Sequence, residues 1–129
     1  MKPRVRILHL EDNLNDRELV QFALAKEGIA HEVVWATTKA EFTAALNQGG
    51  FDVILCDSSL PGFDGKAALA LAQAKCPEVP FLFVSGHSPP ARVDGLTPAG
   101  AKAVISKSDL KSLVDAMRAA LTIKRSDWM

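Results

Sequence analysis

The sequence predicts a doubly wound α/β domain built on a five-stranded parallel sheet with helices on both faces. Three observations carry this prediction. Five short runs, VRILHL (5–10), HEVVWA (31–36), DVILC (52–56), FLFVS (81–85) and KAVIS (102–106), are apolar or β-branched and aromatic, the pattern of strands buried on both faces. Between them lie segments with helical spacing, an alternation that calls for right-handed crossovers covering both sides of the sheet. The 129 residues, 48% hydrophobic and 23% charged, suit one globular domain. That domain is expected over 1–123, with a polar tail at 124–129.

Each element has its own local reason. After the first strand, Asn15 to Lys26 carries Leu19, Phe22, Ala23 and Leu24 at helical spacing and runs out at Gly28. After the second, Thr38-Lys39-Ala40-Glu41 reads as a capping box that opens a helix stopping at Gly49-Gly50. The third strand is followed by the Ala- and Leu-rich stretch Gly65 to Lys75, and Pro80 introduces the fourth. A helix is due next, but Ser88 to Pro98 holds three prolines and a glycine, so this fourth crossover is expected to be short or irregular. The fifth strand leads into Asp109 to Leu121, with Leu110, Leu113, Val114, Met117 and Leu121 on one face.

Composition excludes several classes of function. Fifteen basic and fifteen acidic residues give zero formal net charge, so no broad field draws the chain to nucleic acid or to an anionic membrane. No apolar stretch approaches a membrane span, and MKPRVRILHLED turns acidic before a signal-peptide core could form, so a cytoplasmic protein is expected. Cys56 and Cys76 match neither a CxxC nor a zinc spacing and read as buried thiols. His9 and His31 have no ligand partners at useful spacing; His87 reads as an exposed loop histidine, Trp35 as packed on the sheet, and Trp128 as part of the polar tail.

In open α/β sheets, ligands sit beyond the carboxyl ends of the strands. The residues found there are Glu11 and Asp12 after the first strand, Asp57 after the third, Ser85 after the fourth and Lys107 after the fifth. Taken alone, Glu11-Asp12 is an acidic pair favoured by a helix N-terminus, Ser85-Gly86 a turn and Lys107 a solvated lysine. Together they place three carboxylates, a hydroxyl and an ammonium at one edge. Three close acids raise one another's pKa unless a cation neutralises them, and a hard divalent ion such as Mg²⁺ suits oxygen ligands. With Mg²⁺ bound, Asp57 is a candidate nucleophile toward phosphorus, while Lys107 and Ser85 hold the equatorial oxygens of the transferring group.

Along essentially its whole length the chain resembles the receiver domain of two-component response regulators, of the chemotaxis-regulator type. The matching residues are the acidic pair in LEDN, Asp57 in ILCDSSLPGFDG, Ser85 in FVSGH, Gly100-Ala101, and Lys107 in VISKSDL. The resemblance implies the flavodoxin-like strand order 2-1-3-4-5 and phosphorylation of Asp57 from a histidine kinase or a phosphotransfer protein. It also implies Mg²⁺ held by Asp12, Asp57 and the backbone carbonyl of Ser59, with Glu11 helping through water. Ser85 and the position of Val104 would form the switch that a downstream protein target reads. Such a domain catalyses only its own phosphorylation and dephosphorylation and is not a turnover enzyme. Two departures stand out: Val104 where the family usually has an aromatic residue, and Ser108 where proline commonly follows the lysine.

Other classes fit less well. A haloacid-dehalogenase-type phosphatase needs an acid two residues after the nucleophile, where this chain has Ser59. An FMN-binding flavodoxin needs a phosphate loop after the first strand, where Glu11 and Asp12 would repel phosphate. A vestigial receiver acting as a protein scaffold stays open as the alternative, although no core acid or lysine is missing.

Overall fold

The computed structural model describes residues 4–57, 65–85, 103–106 and 109–121. Its strands are β1 (Val5–Leu10), β2 (His31–Ala36), β3 (Val53–Asp57), β4 (Phe81–Ser85) and β5 (Ala103–Ser106). The helices among these residues are α1 (Leu14–Lys26), α2 (Lys39–Gln48), α3 (Gly65–Lys75) and α4 (Leu110–Ala120). The strands form one parallel sheet in the order β2-β1-β3-β4-β5, the flavodoxin-like arrangement. The 88–98 crossover, Ser59, Lys107, Ser108 and the 124–129 tail lie outside the described residues.

The sheet separates two cores. Leu8, Leu10, Ile54, Cys56, Phe81 and Phe83 face α2 and α3, where Phe42, Leu46, Leu69 and Ala72 close over them. Val5, Ile7, Val53, Leu55, Leu82 and Val84 face the other way, onto Val20 and Leu24 of α1 and Leu113, Val114 and Met117 of α4. Successive residues of β3 therefore alternate between two dry layers, which is why the run is apolar throughout.

Local chemistry sets the helix ends. Asn13 caps α1, its side chain accepting from the Asp16 amide at 3.0 Å. Thr38 caps α2 by accepting from the Glu41 amide at 3.1 Å, and Glu41 reaches back to accept from the Thr37 amide at 2.7 Å and the Thr37 hydroxyl at 2.9 Å. This is the expected capping box, shifted by one residue on its return arm. Asp109 caps α4 on Ser112, at 3.3 Å to the amide and 2.7 Å to the hydroxyl. α2 ends at Gly49-Gly50, both at positive φ (70° and 82°). At Gly50 the reason is also steric, since a Cβ would stand 2.8 Å from Arg6 Nη1. That guanidinium donates to Gly49 O at 2.9 Å and lies 4.6 Å from the centre of the Phe51 ring.

The helix expected from the spacing of Leu19, Phe22, Ala23 and Leu24 is α1, which buries Val20 and Leu24 and leaves Leu19 and Phe22 exposed. α1 carries apolar residues on both sides, so periodicity alone does not choose between them. One expectation about packing is corrected. Trp35 is not buried on the sheet. β2 is an edge strand, and the Trp35 ring stands exposed with the Arg17 guanidinium 5.3 Å from its centre.

Leu55, buried between the two neighbours of β3, and Thr38, an exposed cap, should differ in cost. Leu55→Ala is expected to destabilise by about 2–5 kcal/mol and Thr38→Ala by about 1 kcal/mol, read from urea midpoints at constant slope. The Thr37 amide and hydroxyl hold the Glu41 carboxyl below its ordinary range. A lowered folded value means its contribution is present above the unfolded carboxylate range and lost as pH falls through the folded value. The difference in thermal midpoint between wild type and Glu41→Gln is therefore expected at pH 7 and should vanish in acid.

Candidate functional site

Strand register assembles the site. Leu10 of β1 pairs with Cys56 of β3, so the next residues, Glu11 and Asp57, stand in one rank at the carboxyl edge. Pleat alternation turns both away from the Leu10–Cys56 layer, toward the side where α1 begins. Asp57 pairs with Val84, which places Ser85 one step further out, and Ser85 pairs with Ser106, the residue before Lys107. Val104 pairs with Phe83, one rank below.

Glu11, Asp12 and Asp57 come together as expected, one carboxylate oxygen from each lying within 4.8 Å of the others. Glu11 is fully buried, Asp57 is 7% exposed and Asp12 is exposed. The cluster thus has a dry back and a wet front. Asp57 is the last residue of β3 rather than the first beyond it, so the sheet itself holds its backbone. The backbone of Ser85 closes β4 beside it.

Two residues that sequence reasoning did not single out hold the acidic loop. The Asn13 amide donates to Glu11 Oε2 at 3.1 Å, and Arg17 Nε donates to Glu11 O at 2.9 Å. Glu11 is therefore gripped at both carboxylate and carbonyl by the first turn of α1. Both residues follow the acids by a few positions at a helix start, and the side-chain cap of Asn13 was the available signal.

The neighbouring thiol stays out of the chemistry. Burial pushes the Cys56 thiol well above its ordinary value, and the charges of Asp57 and Glu11 push it further. Its Sγ–H donates to Asp57 O at 3.3 Å, so it remains a neutral packing group rather than a nucleophile or ligand.

Two ionised carboxylates ~5 Å apart repel by about 3 kcal/mol at an effective dielectric of ~20. The donor set is wholly oxygen, anionic and open to water on the Asp12 side. It fits a hard divalent cation that keeps several waters and does not fit a soft metal.

A family model described as the response regulator receiver domain matches residues 7–118. The chain belongs to the response regulator receiver domain family. Among solved structures, this receiver domain is similar to a CheY-like receiver domain protein from Methanospirillum hungatei, at 25% identity and TM-score 0.80 over 97% of this chain and 99% of that one. It is also similar to the phosphorylated cyanobacterial phytochrome response regulator RcpA, at 27% identity and TM-score 0.73 over 92% of each chain. The receiver domain of a sensor histidine kinase from Pseudomonas aeruginosa, solved with magnesium in its active-site cleft, shares the fold at 20% identity and TM-score 0.78, over 93% of this chain and 99% of that one. A search of curated proteins gave no match. No described helix of the receiver is long and apolar enough to cross a membrane.

Arg17 bridges the acidic loop and the edge strand, so its removal should be felt on both sides. Arg17→Ala is expected to cost about 0.5–1 kcal/mol, to alter Trp35 emission and to speed amide exchange in residues 11–13. A Trp128→Phe background isolates the Trp35 signal.

Proposed function

We propose that this receiver domain is a phosphorylation switch that accepts a phosphoryl group on Asp57 from the phosphohistidine of a histidine kinase or phosphotransfer protein. The observation that carries this reading is the shared rank of Glu11 and Asp57, with Asp12 completing a cluster within 4.8 Å. An Asp57 carboxylate oxygen forms the new bond to phosphorus as the phosphorus–nitrogen bond of the donor breaks. Asp12, Asp57 and the Ser59 carbonyl are the residues proposed to hold Mg²⁺, with Glu11 acting through water. When bound, the ion would neutralise the acids and the charge that develops on the transferring oxygens.

The remaining roles follow from position in the chain. Ser85 and Lys107, at the ends of β4 and β5, are proposed to hold the phosphoryl oxygens, and Lys107 to pair with Asp57 before transfer. Val104 has no ring to report the change, so the switch is carried through Ser85 to the surface that a downstream protein target reads. We assign the receiver to 1–123 and the polar tail to 124–129. The domain acts only on its own acyl phosphate, works in the cytoplasm, and makes no direct contact with nucleic acid or membrane.

Incubation with Mg²⁺ and acetyl phosphate, followed promptly by intact-mass measurement, should show one added phosphoryl group, absent in Asp57→Asn. Asp12→Asn should weaken Mg²⁺ binding read from amide shifts near Glu11, since few protein oxygens hold the ion. A wild-type protein that stays unmodified and also ignores beryllofluoride would overturn the switch reading and favour the scaffold alternative.

A further inference from the structure

We infer that the groove beneath the amino edge of β3 and β4 is the docking site for residues 122–129 of this same chain, with Trp128 as the anchor. The groove has a volume of about 630 Å³, within the range of built ligand pockets. The strands are parallel and the acids stand at their carboxyl ends, so this groove lies at the opposite end of the sheet from the acidic cluster. Leu46 near the end of α2, Phe51 before β3, and Cys76, Val79 and Pro80 between α3 and β4 line it. The end of α4, Ala120 and Leu121, forms the remaining wall. Leu46, Phe51 and Cys76 belong to one core and Leu121 to the other, so the groove runs beneath the sheet from layer to layer.

Position, charge and size choose the occupant. Leu121 is itself part of the wall, so the residue that follows it starts at the rim. Trp128 stands seven residues further on, a reach of up to about 24 Å. So short a tether holds Trp128 at an effective concentration on the order of millimolar, whereas a foreign peptide must be captured from bulk solution. The charged residues of the described lining are Asp52, Glu78 and Lys75, and the Lys75 ammonium donates to Asn47 Oδ1 at 2.8 Å. The groove is therefore acidic on balance, and Lys124 and Arg125 bring the opposite sign. Trp128 brings a large apolar ring whose N–H can face water or a carbonyl at the rim, which suits apolar walls with a polar margin.

An intramolecular contact of this kind does not depend on protein concentration, and its site is far from the phosphoryl chemistry proposed above. Its failure and the failure of the switch reading are therefore separate outcomes.

The full chain carrying Trp35→Phe, which leaves Trp128 as its one tryptophan, tests the inference without Mg²⁺ or phosphodonor. Trp128 emission should be blue-shifted from that of the urea-unfolded chain and acrylamide quenching at least threefold weaker, both unchanged from about 5 to about 500 µM protein. Trp128→Ala should move the amide resonances of Gly49, Gly50, Phe51 and Val79 and leave those of residues 11–13 in place. Glu78→Lys, at an exposed position, should raise quenching at least twofold. Lys124→Glu with Arg125→Glu should do the same, and all three changes together should restore protection. Trp128 emission and quenching equal to those of the unfolded chain, amide shifts that miss the groove, or charge reversals without effect would overturn the inference. Protection that disappears on dilution would seat the segment of a second copy in the groove and would overturn it as well.

Discussion

The pairing of β1 with β3, Leu10 against Cys56, is the constraint on which the rest of the molecule depends. It forces Glu11 and Asp57 side by side at the end of the two central strands, where their charges oppose each other. A slip of one residue would turn Asp57 into the opposite layer and scatter the cluster. What prevents the slip is the apolar content of β3 on both faces, since Ile54 and Cys56 lock into one core and Val53 and Leu55 into the other. The stability of two cores is thus spent in part on holding like charges together, a local cost that functional sites commonly carry.

Around that rank the residues divide the work. Glu11 is fully buried and held by Asn13 and Arg17, so its carboxyl group is fixed in position at the back of the site. Asp12 is in water and free to exchange its surroundings. Asp57 stands between the two, anchored by the sheet yet reaching the surface. The neutral Cys56 thiol beneath adds bulk without adding a competing nucleophile.

Much of this was legible in the sequence. Strands buried on both faces announce themselves as apolar runs, and the acids following VRILHL and ending DVILCD could be placed at one edge before any coordinates. The limits of the helices were legible through Thr38, Asp109 and Gly49-Gly50, because caps are local chemistry. The orientation of α1 was not. Its two apolar stripes give periodicity no preferred side, and the choice of Val20 and Leu24 as the inward pair depends on where the sheet and α4 stand. Trp35 was misread for a related reason: an aromatic residue in a β-branched run suggests burial, but edge position and a stacking Arg17 are decided by strand order and by a helix in another part of the chain. The grip of Arg17 on Glu11 O likewise needs the geometry of a helix start, which no spacing rule supplies.

Arg118 on α4 reaches Glu27 at the C-terminal end of α1, with Nη1 3.4 Å from the carboxylate and Nη2 donating to the carbonyl at 3.2 Å. The two residues are 91 positions apart in the chain. During synthesis the layer made by α2, α3 and the first four strands is available once β4 has emerged, whereas the opposite layer waits for α4 to arrive and cover Leu55, Leu82 and Val84. Until then the part of that side that α1 leaves uncovered is bare hydrocarbon. The clasp therefore closes the fold late in order as well as in space, and a ribosome-bound chain halted before α4 would present chaperones with one finished face and one only half covered by α1.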